Sequence, residues 1–163
     1  MHNGIISAPK NKHSPSAFSC IATIVLLAGS ADILIALLQY NWSTGKNPTT
    51  VLKFIASGIF GGRAFAGGDV MIWWGLVFHY CIVLLWVLFF YFSFPLLFSF
   101  VNNRWIFALL AALCIWIVMN LVVLPLSQTP SMPFRWQPAL ISMGILFIAV
   151  GIPLSFLLRR HYK

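Results

Sequence analysis

Residues Ala17 to Tyr40 read AFSCIATIVLLAGSADILIALLQY, an apolar run broken by a single acid, Asp32. A transmembrane helix needs about 20 predominantly apolar residues, and this stretch supplies them. A secretory-signal reading competes, because Lys10 and Lys12 precede the run and Gly29-Ser30-Ala31 resembles a cleavage site. The run continues past that site to Leu38, so a membrane span is the expectation.

The rest of the 163-residue chain agrees. Hydrophobic residues make up 61% and charged residues 7%, whereas soluble domains carry about 25% charged residues. So little polar surface cannot cover a water-soluble globule. The same numbers exclude a disordered chain, a collagen-like repeat and a disulfide-stapled module. Asp32 and Asp69 are the only acids, and no Glu is present, which excludes chemistry that needs a Glu pair.

Three more apolar segments follow, at about residues 70–94, 105–124 and 138–158. Pro95 and Pro125 are read as closing the second and third, with a few apolar residues after Pro95 extending the helix through a kink. Pro138 suits the first turn of the fourth. The segment from 50 to 68 is different, with Lys53, Arg63 and several glycines. Charges at a helix centre cost about 2.5–3.5 kcal/mol each, so a short interfacial or re-entrant helix is expected there. The predicted fold is therefore all-α: one membrane domain over 1–163, a bundle of four transmembrane helices, with one short interfacial or re-entrant helix between the first and second spans. Residues 1–16 read as a flexible cytoplasmic tail.

Orientation follows from Lys and Arg. With the N-terminus inside, Lys10, Lys12, Arg104, Arg159, Arg160 and Lys163 lie inside, and Lys46, Lys53, Arg63 and Arg135 outside. Both termini are then cytoplasmic. The formal charge of +8 is a topology signal; no groove-reading motif accompanies it, so no nucleic acid is expected as a partner. The expected partners are the lipid bilayer and either a second copy of the chain or another membrane protein.

An ionisable residue inside a span is by default a functional-site hypothesis. Asp32 lies about 12 Å before Tyr40 and His79 about 13.5 Å past Val70 at 1.5 Å per residue, so the two share a depth. Ala22, Gly29 and Ala36 recur as a small-residue stripe, and Asp32 sits on that packed face. Ala112, Trp116 and Asn120 share a face of the third span. A polar cluster of Asp32, His79 and Asn120 is thus predicted, with an Asp32–His79 hydrogen bond at its centre; packing glue and a proton-relay or substrate role are its two readings. No metal is expected, because one membrane His and one Asp give too few ligands for zinc. Haem held by His79 and Met119 has no further support, and no cofactor is predicted. Cys20, Cys81 and Cys114 lack C-x-x-C spacing and read as packing residues.

Ala56 to Gly75 reads ASGIFGGRAFAGGDVMIWWG. Gly58 and Gly62 form G-x-x-x-G, more in keeping here with a tight turn than with a dimer contact. Arg63, Gly67, Gly68 and Asp69 form an interface turn. Asp69 suits the N-cap of the next helix, an Arg63–Asp69 ion pair is the alternative, and Arg63 could line the outer mouth of the polar cluster.

Gly58, Phe65, Gly67, Gly68, Gly75 and His79, followed by MNLVVLPLS at Met119 to Ser127, resemble a group of uncharacterised bacterial four-helix inner-membrane proteins, distantly similar to the YagU-like family. The resemblance spans residues 17 to 160. It implies a bacterial inner membrane and no established enzymatic activity, and it offers no catalytic residues. Three functions remain in competition: a structural, accessory or partner-binding membrane protein; a small proton-coupled transporter or channel subunit using Asp32 and His79; and a lipid- or quinone-directed enzyme using Arg63 and His79.

Overall fold

A computed structural model of the protein describes residues 16–130 and 135–162. Residues 1–15 with Lys10 and Lys12, residues 131–134 with Pro133, and Lys163 lie outside the described residues. Four helices are long and apolar enough to cross a membrane: α1 (Ala17–Thr44), α4 (Val70–Phe100), α5 (Arg104–Leu126) and α6 (Trp136–His161). Between the first two spans lie α2 (Thr49–Phe60) and a single turn, α3 (Arg63–Ala66). Among the described residues there is no strand. The outward faces are apolar, as lipid requires: Leu26, Phe92, Leu121 and Ile148, one from each span, are all more than half exposed.

Local chemistry sets the helix ends. The Ser16 hydroxyl accepts from the Ser19 amide at 3.2 Å and caps α1. Gly45, at φ +66°, ends it, with its N–H donating to the Asn41 carbonyl at 2.8 Å. The Asn103 side chain accepts from the amides of Trp105 and Ile106 at 2.9 and 3.4 Å to start α5.

Besides Pro138 in the first turn of α6, three prolines lie within the spans, and the structure handles them in two ways. Proline lacks an N–H and its ring collides with the carbonyl four residues earlier. In α5 and α6 that carbonyl is accommodated by a widened π turn, Met119–Val123 before Pro125 and Phe147–Gly151 before Pro153. There the Leu124 and Ile152 amides reach back five residues, to Met119 and Phe147. In α4 the helix continues through Pro95 to Phe100, so Pro95 does not close the span. The carbonyl that Pro95 leaves without its usual donor is that of Tyr91, and the Tyr162 hydroxyl donates to it at 2.9 Å.

The spans alternate in direction. α1 lies between α4 and α6, and α6 between α1 and α5. α4 and α5 meet through the rings of Phe90, Phe94 and Phe107, with the last two centred 5.1 Å apart. Two glycines let backbones touch. A Cβ on Gly151 would overlap the Ala108 carbonyl of α5, and one on Gly75 would overlap the Leu52 carbonyl of α2. α2 is therefore packed backbone to backbone on the first turns of α4. Its 12 residues are too few to cross a core of about 30 Å at 1.5 Å per residue.

Candidate intramembrane site

The half of the bundle nearer the α1 N-terminus is solid, filled by Ile24, Val87, Phe90, Phe94, Leu154 and Leu158. The other half is hollow. A cavity of about 390 Å³ opens above the Trp86–Phe90 stack, whose ring centroids are 5.9 Å apart. All four spans and α2 contribute to its wall. α1 presents Asp32, Ala36 and Gln39 at helical spacing. α2 adds Phe54 and Gly58, α4 adds His79 and Trp86, and residues of both π turns, including Met119 and Val150, complete it.

The wall is mostly apolar and most of its polar groups are already engaged. The Ser142 hydroxyl accepts from Trp116 Nε1 at 2.9 Å and donates to the Ala139 carbonyl at 2.9 Å. Ser127 donates to the Leu124 carbonyl at 2.8 Å and meets the Thr129 hydroxyl at 2.7 Å. The Gln128 amide donates to the Gly58 carbonyl at 3.0 Å and ties the end of α5 to α2 over the cavity.

His79 and Asp32 share this cavity, but the expected hydrogen bond between them does not form. His79 is buried, and its Nε2 donates to the backbone carbonyl of Gly29 at 2.9 Å. The reason is steric access: Gly29 has no side chain, so α4 comes close enough for His79 to use that carbonyl's second lone pair. One residue along, the Ser30 and Tyr80 hydroxyls meet at 2.8 Å. Two consecutive residues of α1 thus clasp two consecutive residues of α4. Asp32, one turn further on, makes no side-chain hydrogen bond among the described residues.

Asn120 does not join the cluster. Its amide nitrogen donates to the Trp116 carbonyl at 2.9 Å, within its own helix. The interface turn also stays apart. Arg63, Gly67, Gly68 and Asp69 are all exposed, and none lines the cavity. Gly61 at φ +59° and Gly68 at φ +65° turn the chain outward around α3, while the cavity is closed by Gly58 and Thr129 instead. Asp69 stands at the N-cap position of α4, but its side chain accepts no capping bond. No Arg63–Asp69 ion pair forms among the described residues.

The Ser30–Tyr80 contact is a site feature that sequence reasoning missed. The signal was present, since Gly29-Ser30 and His79-Tyr80 are adjacent pairs at one depth. Chemically, the arrangement offers one acidic side chain with free acceptor oxygens in an apolar chamber large enough for a small molecule. Comparison with protein-family models, with curated proteins and with solved structures returns no match.

Proposed function

We propose that this small membrane protein takes a small amphiphilic solute into the intramembrane cavity, with Asp32 as the group that receives its cationic or hydrogen-bond-donating head. The observation that carries this is the Asp32 side chain, the one acid in a mostly apolar cavity wall, without a side-chain hydrogen bond among the described residues. Asp32 is half-buried, and a carboxylate within a span that lacks a partner is costly and is by default a functional-site hypothesis. Phe54, Ile82 and Trp86 offer the apolar surface for the solute's body. His79, held by Gly29, positions α4 rather than relaying protons to Asp32. This is the small-transporter reading, narrowed to one acid.

Binding of a lipophilic cation such as tetraphenylphosphonium to the purified full chain in mild detergent tests it. The Asp32→Asn variant is expected to bind at least about tenfold more weakly, because the attraction between carboxylate and cation in an apolar wall is lost. A neutral analogue of similar size is expected to be indifferent to the change. Equal cation binding by both proteins would overturn the proposal.

One set of observations favours the accessory reading. The His79–Gly29 and Ser30–Tyr80 bonds are polar glue between α1 and α4, as expected for a protein whose task is packing. The enzyme reading loses its residue pair, because Arg63 lies outside the cavity. We further read the protein as a resident of a bacterial inner membrane with both termini cytoplasmic, among YagU-like proteins. The six Lys and Arg assigned inside against four outside support that orientation. A second copy or a membrane-protein partner is not needed to build the cavity, which one chain lines.

A further inference from the structure

At the opposite end of the bundle from α2, a cleft of about 650 Å³ lies between the start of α5 and the end of α6. Gly151, Ser155 and Arg159 follow one another at four-residue spacing on α6, so they share a face. Gly151 admits the Ala108 backbone, and one turn on the Ser155 hydroxyl donates to the Arg104 carbonyl at 2.8 Å. This seam brings Arg104 beside Arg159 and Arg160 in one cleft. Aromatic faces hold two of the guanidiniums: Arg104 lies 4.6 Å from the Phe156 ring centroid, and Arg159 lies 5.2 Å from that of Phe98.

Among the described residues no carboxylate compensates this charge. The chain's two acids lie elsewhere, Asp32 in the cavity wall and Asp69 at the far end of α4. The positive end of the α5 dipole and the negative end of α6 meet here and offset each other, so the three guanidiniums carry the charge. Arginine forks match phosphate oxygens in charge and in planar geometry. Apolar surface adjoins the cleft: Trp105 is half exposed at its rim, and the half-exposed Ile106, Leu109 and Leu110 continue along α5. That combination suits a molecule with a phosphate head and acyl chains, with the tryptophan at headgroup level.

We propose that this cleft binds the phosphate headgroup of an anionic phospholipid, its acyl chains lying along the exposed face of α5. Basic pockets between transmembrane helices are suited to such headgroups.

The test is native mass spectrometry of the full chain in mild detergent, given equal amounts of phosphatidylglycerol and phosphatidylcholine. Retention of phosphatidylglycerol over phosphatidylcholine is expected, with about a fivefold loss for each of Arg104→Gln, Arg159→Gln and Arg160→Gln. Arg135→Gln removes the same charge at the other end of the bundle and is expected to leave retention unchanged. Equal retention of the two lipids would overturn the proposal, as would an Arg135→Gln loss matching the others. Inorganic phosphate supplies the remaining arm. If it displaces phosphatidylglycerol at equal concentration, the cleft is a free-anion site and the lipid assignment fails. Arg160 touches neither aromatic partner, so its variant carries the test should the Arg104 or Arg159 variants fold poorly.

Discussion

The two halves of the bundle solve the same problem with opposite outcomes. Towards the Arg104 end, small residues let helices touch, aromatic rings fill the space and the broken helix bond at Pro95 is replaced from another span. Towards the α2 end, the same helices part around a chamber, both π turns contribute to its wall and the Asp32 carboxyl is left without a partner among the described residues. The hydrophobic effect cannot drive helices together within lipid, so association rests on close packing and hydrogen bonds. Where side chains fill the space the bundle is solid, even with the buried Nδ1 of His161 left without a partner. Where they do not, a site remains beside the His79–Gly29 and Ser30–Tyr80 bonds.

The strongest way to break this contrast is to abolish a backbone contact. Gly151→Val in the solid half and Gly75→Val beside the hollow one each place atoms on a carbonyl that cannot move alone. Each is expected to cost about 3 kcal/mol, read as a lowered midpoint of thermal unfolding in detergent. Gly75→Val should in addition release α2, seen as faster proteolysis around Lys53. A wild-type midpoint for either variant would mean the close approach is not needed.

Asp32→Leu sharpens the contrast with the opposite sign. Removing an unpaired carboxyl from within a span is expected to stabilise the fold by about 2 kcal/mol while abolishing cation binding. A destabilised Asp32→Leu protein would show that Asp32 serves packing after all.

Tyr162→Phe tests the solid half's repair. It leaves the Tyr91 carbonyl without its donor and is expected to cost about 1 kcal/mol. Burial, with the neighbouring Tyr91, pushes the Tyr162 phenol above its usual range. The protonated phenol is thus favoured by folding. Its stabilisation is present below the unfolded-state value near 10.0 and is lost as pH rises through the folded-state value. Alkaline loss of stability should therefore be shallower in Tyr162→Phe. The smallest effect is expected for Ser30→Ala and Tyr80→Phe, about 0.6 kcal/mol each, with a double-mutant cycle giving a coupling of that size.

How far the sequence could be read follows from which groups have a letter. The spans were legible because lipid demands unbroken apolar length, and Lys53 and Arg63 set the short α2–α3 region apart. The His79 partner was not legible as drawn. Face arithmetic placed Asp32 beside Gly29 on the packed stripe, but the acceptor is the Gly29 carbonyl, which every residue possesses. Asn120 gave a clearer signal than was used, since its four-residue spacing from Trp116 is that of a side chain bonding back to its own helix. At Pro95 the sequence points to the end of the main span with a kinked extension, and the donor that serves Tyr91 is hidden from it because it comes from a distant span. Arg104, Arg159 and Arg160 served only to orient the chain. That they share one cleft depends on the Gly151 and Ser155 seam, which needs three dimensions to see.

The Tyr162–Tyr91 bond also has a consequence in time. Its partners stand 71 residues apart, so α4 enters the bilayer long before its donor exists. At 5–20 residues per second, roughly 4 to 14 s of synthesis separate the two. Throughout that interval the Tyr91 carbonyl must find a temporary donor, in water, a headgroup or the insertion machinery. The second span thus matures only after the fourth is made, and shortening the chain before Tyr162 would leave it permanently at an earlier stage of assembly.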